Sequence, residues 1–328
     1  MTTRKGPKND ITDVPGIKIG QSEDIRVKTG VTVILPDAPC ICAGDIRGGG
    51  PGTRETDLLD PSTLVDRVDA LVLSGGSSYG LGAADGVTAW LGERSRGFTL
   101  IAQPGVPPSP IVPAAILYDL ANGGDKSWGG SPPYRTLGYA ACEAAGASLR
   151  QGRAGAGYGA RAGAGQGGIG SASYITDDGL TVGAIAAVNS FGSVKLPGTD
   201  VFWAWPFEEA GEFGGRKPPS DWKPVADLPP DTKLVGPTRT NTTIAAVAVS
   251  ACLTQAEARR VAIMAQDGLA RAIRPVHGPT DGDAVFVLAL GEEGSSGPLQ
   301  LTRIGLLAAD CLARAVARAV YEAERQEA

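Results

Sequence analysis

Along the chain, short unbroken apolar runs alternate with turn-forming clusters, and only in the last third does the apolar period lengthen to that of long helices. Residues 31–35, 70–73, 181–188, 244–249 and 285–290 are each four to eight residues long and rich in Val, Ile, Leu or Ala. Runs of that length, bounded by Gly, Asn or Asp, read as strands buried on both faces. Residues 81–91 and 137–149 have helical composition. Thr254 with Glu257 forms a capping box that opens a helix carrying Val261, Met264, Ala265, Leu269 and Ile273 on one face. Residues 301–324 predict a long helix with Ile304, Leu307, Cys311, Ala315 and Val320 along its stripe. Strands and helices mixed in this way indicate α/β or α+β layers, sheets packed under helices.

Between these elements lie stretches of other character. Ser74, Gly75 and Gly76 make a tight turn after the second strand, and Gly75 and Gly76 are carried as substrate-side candidates. Residues 104–113 form a stiff Pro-rich loop, and the apolar segment behind it, IVPAAILYDL, includes Tyr118. Residues 151–171 are almost entirely Gly and Ala. Residues 195–237 are rich in Pro, Gly and charge and read as a long exposed loop or insertion. Trp203, Trp205 and Phe207 cluster in that loop, where they can wall a substrate channel or serve as interface or packing residues.

Composition narrows the picture. The 328 residues include 47 glycines and 24 prolines, just short of what marks a low-complexity chain. With 42% hydrophobic residues and a net charge of -5, there is still ample apolar material for a core. Length alone suggests two domains. Scattered Lys and Arg with an acidic balance give no footprint for nucleic acid. No run approaches the roughly 18 apolar residues of a membrane helix, and the charged start MTTRKGPKND is unlike a signal peptide, so a cytoplasmic protein is expected. Five cysteines, odd in number and mostly within apolar runs, fit buried thiols better than disulfides. The single histidine, His277, cannot build a multi-His metal site, and Cys40-x-Cys42 has the wrong spacing for a zinc knuckle. Neither metal nor cofactor is expected.

Several motifs have plain readings. Gly163-x-Gly165-x-x-Gly168 formally matches a dinucleotide fingerprint but lacks the preceding strand, the following helix and the ribose-binding acid, so tight backbone packing is the favoured reading. RGGGPGTRETD at positions 47–57 has no Lys-Ser/Thr pair and is read as a shaped loop rather than a phosphate loop. Asp281-Gly282-Asp283 is a turn that also puts two carboxylates at the mouth of a strand, able to hold an ammonium or orient a hydroxyl; a calcium loop would need further acids. His277, between Pro275 and Pro279, is read as a loop histidine with structural hydrogen bonds.

Asn241-Thr242-Thr243 admits three readings: a glycosylation acceptor, ordinary strand-entry residues, or a self-cleavage site. A Thr hydroxyl is a poor nucleophile without an adjacent base. A chain broken before Thr242 would give that one residue an α-amine of pKa about 7.7–8.0 to serve as the base, so no histidine would be required.

The stretch NTTIAAVAVSACLTQAEARRVAIMAQDGLARAIRPVHGPTDGDAVF, with LSGGSSYGLGAADGV, IVPAAILYDL, GRAGAGYGARAG and VGAIAAVNSFG, resembles the DmpA-type family. That family includes L-aminopeptidase/D-amidase/esterases, β-peptidyl aminopeptidases and endo-type nylon-oligomer hydrolases. The resemblance spans nearly the whole chain apart from residues 195–237 and the ends. It implies an α+β fold, a four-layer αββα sandwich shared with ornithine acetyltransferases, from a precursor that cuts itself before a Ser or Thr. Carried over, the cut falls between Asn241 and Thr242, giving an α chain of residues 1–241 and a β chain of 242–328 that remain one domain, assembled as a homotetramer of processed pairs. Thr242 becomes the nucleophile, Asn189 and Tyr118 contact the nucleophile region and oxyanion, and Asp281 and Asp283 position the nucleophile. The activity implied is hydrolysis of short peptides, amino acid amides, β-peptides or 6-aminohexanoate oligomers; an acyltransferase of the ornithine acetyltransferase type and a non-processing binding shell are the alternatives. One position departs from the pattern. Where the nylon-oligomer enzymes carry a catalytic lysine, this chain has Ala164, with Arg161 and Gln166 nearby. Neither is an amine that changes protonation easily.

Overall fold

In a computed structural model, which describes residues 2–224, 226–233, 241–292 and 294–326, the apolar runs become strands of two sheets. In chain order the elements are β1 (Thr3–Lys5), β2 (Ile17–Asp24), β3 (Thr29–Pro36), β4 (Cys40–Ile46), β5 (Thr53–Arg54), β6 (Arg67–Val68), β7 (Leu71–Ser74), α1 (Ala83–Glu93), β8 (Ala114–Ile116), α2 (Tyr134–Glu143), β9 (Gly168–Thr176), β10 (Thr181–Asn189), β11 (Thr242–Val249), α3 (Gln255–Ala272), β12 (Ala284–Ala289) and α4 (Pro298–Arg325). One sheet runs β1-β9-β10-β11-β12-β4-β6, the other β2-β3-β7-β8-β5. Among the described strands the β11–β12 and β7–β8 pairs are parallel and the others antiparallel.

Three apolar layers glue the sheets and helices together, and the alternation within single strands shows how. In β11, Ala245, Val247 and Val249 pack with α3 and α4, whereas Ile244, Ala246 and Ala248 face the second sheet. β12 divides likewise, with Val285, Val287 and Ala289 toward the helices and Ala284, Phe286 and Leu288 inward. Strands covered on both faces need apolar residues at every position, which is why these runs show no polar alternation. A third layer joins Val31, Val33 and Val72 to Val87 and Leu91 of α1 and Leu137 and Ala141 of α2. The order is therefore helix, sheet, sheet, helix, the αββα sandwich that the resemblance implies. The capping box at Thr254 and Glu257 is formed in both directions.

Two expectations shift, and the tight backbone packing read for the Gly/Ala stretch is found. The helix expected over 137–149 occupies Tyr134–Glu143, because the chain leaves it to pair Gly146 with Ile19, N–H to O at 3.0 Å and 2.9 Å in the two directions. The Gly/Ala stretch ends in a strand, β9, whose glycines make room for a helix: a Cβ on Gly170 would collide with the α4 backbone at Ala315 and Ala319. Residues 195–237 are an exposed loop only in part: most of residues 214–224 are exposed, but the part before them is packed. Val201, Phe202, Ala204 and Phe213 are buried, and Phe202 lies edge-on to Phe213 and Tyr321 at 5.5 Å and 6.3 Å, closing the helical side of the core. Residues 225 and 234–237 of that stretch lie outside the described residues.

Among the described residues no helix is long and apolar enough to cross a membrane, and no three or more His, Cys, Asp or Glu gather as a metal ion would require.

Candidate active site

Parallel pairing of β11 with β12 brings the starts of both strands to one end of the sheet, and antiparallel β10 finishes there. Thr242, first residue of β11, is thus paired directly with Asn189, last residue of β10. By strand parity both share the face of Ile244 and Ala246 that looks between the sheets. Across the other neighbour, Asn241 bridges to Asp281 just ahead of β12. Asn189, Asn241, Thr242, Asp281 and Asp283 are each no more than 4% exposed. Five polar side chains packed this closely at strand ends have no folding rationale of their own, since burial of each costs free energy unless it is paired.

The bond between Asn241 and Thr242 is held on its carbonyl side. The Asn241 carbonyl oxygen accepts the Gly282 N–H at 3.1 Å and also the Thr242 hydroxyl. The Gly282 backbone comes so close that a Cβ there would lie 2.8 Å from Thr242 Oγ1 and 2.9 Å from Gly50 O, so glycine at the centre of the Asp-Gly-Asp turn is a requirement of the site. Asp283 anchors the next residue: its Oδ1 accepts the Thr243 N–H at 2.7 Å, and its Oδ2 accepts the His277 N–H at 3.0 Å and faces His277 Nδ1 at 2.9 Å. Asp281 accepts N–H groups of Phe191 at 3.2 Å and Gly278 at 3.1 Å. Burial, with the neighbouring Asp283 adding repulsion, pushes Asp281 up to about 6. The RGGG loop wraps this turn from outside, with Gly50 N–H on Asp281 O at 2.7 Å and Arg47 and Gly48 N–H on Asp283 O at 3.0 Å and 3.2 Å. That loop, read from sequence only as a shaped loop, holds the main chain of the turn that carries the two carboxylates. Asn241 Oδ1 and Thr243 Oγ1 have no partner among the described residues.

Asn189 links the sheets. Its Nδ2 donates to the Tyr118 carbonyl at 3.0 Å, and its Oδ1 accepts the Arg161 N–H at 2.9 Å. Tyr118, partly buried, thus meets the site through its main chain. Its neighbour Asp119 is buried, accepts from Thr29 Oγ1 at 2.6 Å and from Gly76 N–H at 2.7 Å, and is pushed up to about 6 by burial. Gly75 and Gly76 therefore buttress the turn at Asp119 behind Tyr118. The aromatic trio makes packing contacts. Trp203 lies edge-on to Trp222 at 5.5 Å under Arg274, and Phe207 packs on the helical core under Arg271. These are the packing contacts that the sequence left open, and Trp205 begins a short 3₁₀ turn beside them.

One residue that meets the site escapes the sequence reading. Lys233, at the end of the stretch expected to be exposed, extends its ammonium to Asn189, 3.0 Å from the carbonyl oxygen and 3.1 Å from Oδ1. The residue is only partly buried as a whole, but its ammonium is enclosed, and burial pulls it down to about 7 against the pull of Asp281. Its only signal in sequence is indirect: the vacancy for a lysine at Ala164. Ala164 itself donates its N–H to Asp231 O at 2.8 Å, in the turn that carries Lys233.

Residues 9–328 match the family profile described as peptidase family S58. An uncharacterized aminopeptidase of Mycobacterium tuberculosis (strain ATCC 25618 / H37Rv) is 46% identical over 96% of this chain and 94% of its own length. A 6-aminohexanoate-oligomer endohydrolase of Paenarthrobacter ureafaciens is 30% identical over 85% of this chain and 74% of its own length. Two solved structures share the fold at 20% identity and a TM-score of 0.71: a Burkholderia sp. β-aminopeptidase, covering 97% of this chain and 88% of that one, and the L-aminopeptidase D-Ala-esterase/amidase of Ochrobactrum anthropi, covering 98% and 88%. The latter is described as a variant of the Ntn hydrolase fold.

Proposed function

The chain belongs to peptidase family S58 and is a hydrolase of the aminopeptidase type, and from that premise we propose that it is an amide-bond hydrolase whose nucleophile is Thr242, exposed by self-cleavage after Asn241. The observation that carries the reading is the Asn241 carbonyl, held by the Gly282 N–H at 3.1 Å and touched by the hydroxyl of the residue that follows it. In the cleavage step Thr242 Oγ adds to the Asn241 carbonyl carbon, and the Oγ proton passes to the departing Thr242 nitrogen. The C–N bond breaks to leave an ester, and water hydrolyses that ester to free the Asn241 carboxylate and the Thr242 hydroxyl. Gly282 N–H is the donor for the oxyanion of this step.

The freed α-amine then serves as base. It accepts the Oγ proton as Oγ attacks a substrate carbonyl and returns it to the leaving amine; the resulting acyl-enzyme is released as acid by water. Asn189 and Tyr118 stand on the oxyanion side, while Asp283, through Thr243 N–H, and Asp281 hold the start of β11 in register. The pieces of 241 and 87 residues stay one domain, because β11 and β12 of the second lie between β10 and β4 of the first. Short peptides, amino acid amides, β-peptides and 6-aminohexanoate oligomers are the proposed substrates, supported by the names of the relatives, in a cytoplasmic homotetramer of processed pairs. The deciding experiment is denaturing electrophoresis with Edman sequencing. The wild type should give two chains, the smaller beginning at Thr242, with turnover of at least one of these amides; Thr242→Ala should stay a single inactive chain. Two chains from Thr242→Ala would sink the assignment.

A further inference from the structure

We propose that Lys233, carried to the Thr242 site by a docked turn just upstream of the cleavage point, is the positioning residue that sets Asn189 as a hydrogen-bond donor and holds a titratable charge beside the nucleophile. This rests on the reading of Thr242 as nucleophile.

The turn is too firmly fastened to be a passing loop. Thr232 closes it on Pro229 O through its N–H at 3.1 Å and its hydroxyl at 2.9 Å. Asp231 Oδ2 accepts the Ser193 hydroxyl at 2.6 Å, and Asp231 O accepts the Ala164 N–H at 2.8 Å. Lys233 N–H donates to Phe191 O at 3.0 Å. A short turn is thereby fastened to the strand end that carries Asn189 and to the Gly/Ala segment that presents Ala164. The ammonium is the endpoint of that anchoring.

Its effect on Asn189 follows from donor and acceptor chemistry. An ammonium has only donors to offer, so the atom of Asn189 it meets must be the oxygen. The Arg161 N–H meets the same oxygen. The amide nitrogen is then forced to the opposite side, where it donates to Tyr118 O. Asn189 sits directly across from Thr242, so the orientation imposed by Lys233 decides whether the nucleophile faces a donor or an acceptor. The charged groups around Lys233 are Asp281 and Arg161, with Asp231 on its own turn and Asp283 beyond Asp281, itself paired with His277. A lysine brought down to about 7 changes charge within the range where the Thr242 amine also titrates.

The test compares wild type, Lys233→Met, Lys233→Arg and Thr242→Ala for processing and for kcat and KM between pH 5 and 9, on a 6-aminohexanoate oligomer or amino acid amide that the wild type hydrolyses. Lys233→Met should lower kcat by on the order of 10²-fold, the usual cost of a lost oxyanion donor, with KM little changed. The two lysine variants should also move the acid limb in opposite directions. Loss of the cation lets the Thr242 amine hold its proton to higher pH, and the permanent charge of arginine drives the limb to lower pH. A merely structural lysine would give no such split. Lys233→Met and Lys233→Arg that process and hydrolyse within about threefold of wild type with unmoved limbs overturn the proposal, and if only Lys233→Arg folds, an unmoved limb in that variant alone overturns it. Thr242→Ala separates the two ideas: activity in that variant removes the nucleophile, whereas an inert Thr242→Ala beside wild-type-like lysine variants removes only Lys233.

Discussion

Two clusters of buried charge among the described residues lean in opposite directions. Around Arg314 in α4, which is fully buried, the guanidinium forms a two-pronged pair with Glu212 at 2.6 Å and 3.0 Å. It also reaches Ser173 O at 3.0 Å and Asn9 Oδ1 at 2.7 Å and lies 4.4 Å over the Tyr174 ring. Burial alone would neutralise both partners, yet their mutual bonds win, so Glu212 is held below its ordinary range and Arg314 above its own. At Thr242 the balance is reversed. Burial outweighs the attraction of Lys233 for Asp281, and both are pushed toward neutrality. Each cluster joins residues on either side of the proposed cut, and each is built of groups that the core would otherwise exclude. The difference lies in satisfaction. A cluster whose members are held firmly charged is a clamp, while one poised near neutrality can move protons.

Breaking the clamp should have the largest effect on stability. Arg314→Met leaves Glu212, whose side chain is 6% exposed, without its principal cation. Such an uncompensated charge costs about 3–5 kcal/mol, read as a lowered denaturation midpoint at pH 7. The same pair makes stability depend on acid. Because the folded Glu212 titrates below its ordinary 4.5, its contribution is present above that pH and is lost as pH falls beneath it, a decline that Arg314→Met should lack. A cost under about 1 kcal/mol would mean that the network is incidental to the fold.

The poised cluster should respond with the other sign. Between about 7 and the ordinary 10.5, the unfolded chain binds a proton on Lys233 that the folded chain has given up. Wild-type stability therefore rises with pH across that window, by on the order of 2 kcal/mol from pH 7 to 9 at about 1.4 kcal/mol per unit. Lys233→Met should remove this slope and be at least as stable as wild type at pH 7, although it loses turnover. A variant that unfolds readily at pH 7 would place Lys233 with the clamp instead.

The same contrast explains what could be read from sequence. Apolar runs such as TVGAIAAV and TTIAAVAV carry their strand assignment in every residue, because both faces are buried, and Thr254 with Glu257 states its cap in four letters. The carboxylates of Asp281 and Asp283 were legible because they stand at the mouth of such a run, whereas the partnership of Asn189 with Thr242 came only with the family resemblance. Lys233, Glu212 and Phe202 were not legible. All three lie in a Pro- and Gly-rich stretch with no period, where a buried anchor and a solvated loop residue look alike, and only long-range contacts to Asn189, Arg314 and α4 distinguish them. Helix α2 was misplaced for a related reason: Gly146 pairs with Ile19, far off in sequence, and that pairing ends the helix early.

The smallest effect is expected where geometry matches the clamp but solvent does not. Arg303 grips Asp178 with two bonds, at 2.5 Å and 3.0 Å, as close as those between Arg314 and Glu212. The Asp178 side chain, however, is 45% exposed, and the bonds to Arg303 and Thr176 that hold its carboxyl low form where water already solvates the charge. Water screens the attraction, and little is lost when the partner is removed. Asp178→Asn should therefore leave the denaturation midpoint indistinguishable from wild type at pH 7 while Arg314→Met lowers it sharply. Equal losses in the two variants would show that two-pronged geometry, rather than burial, sets the strength of the clamp, and the distinction between the two buried clusters would then have to rest on proton transfer alone.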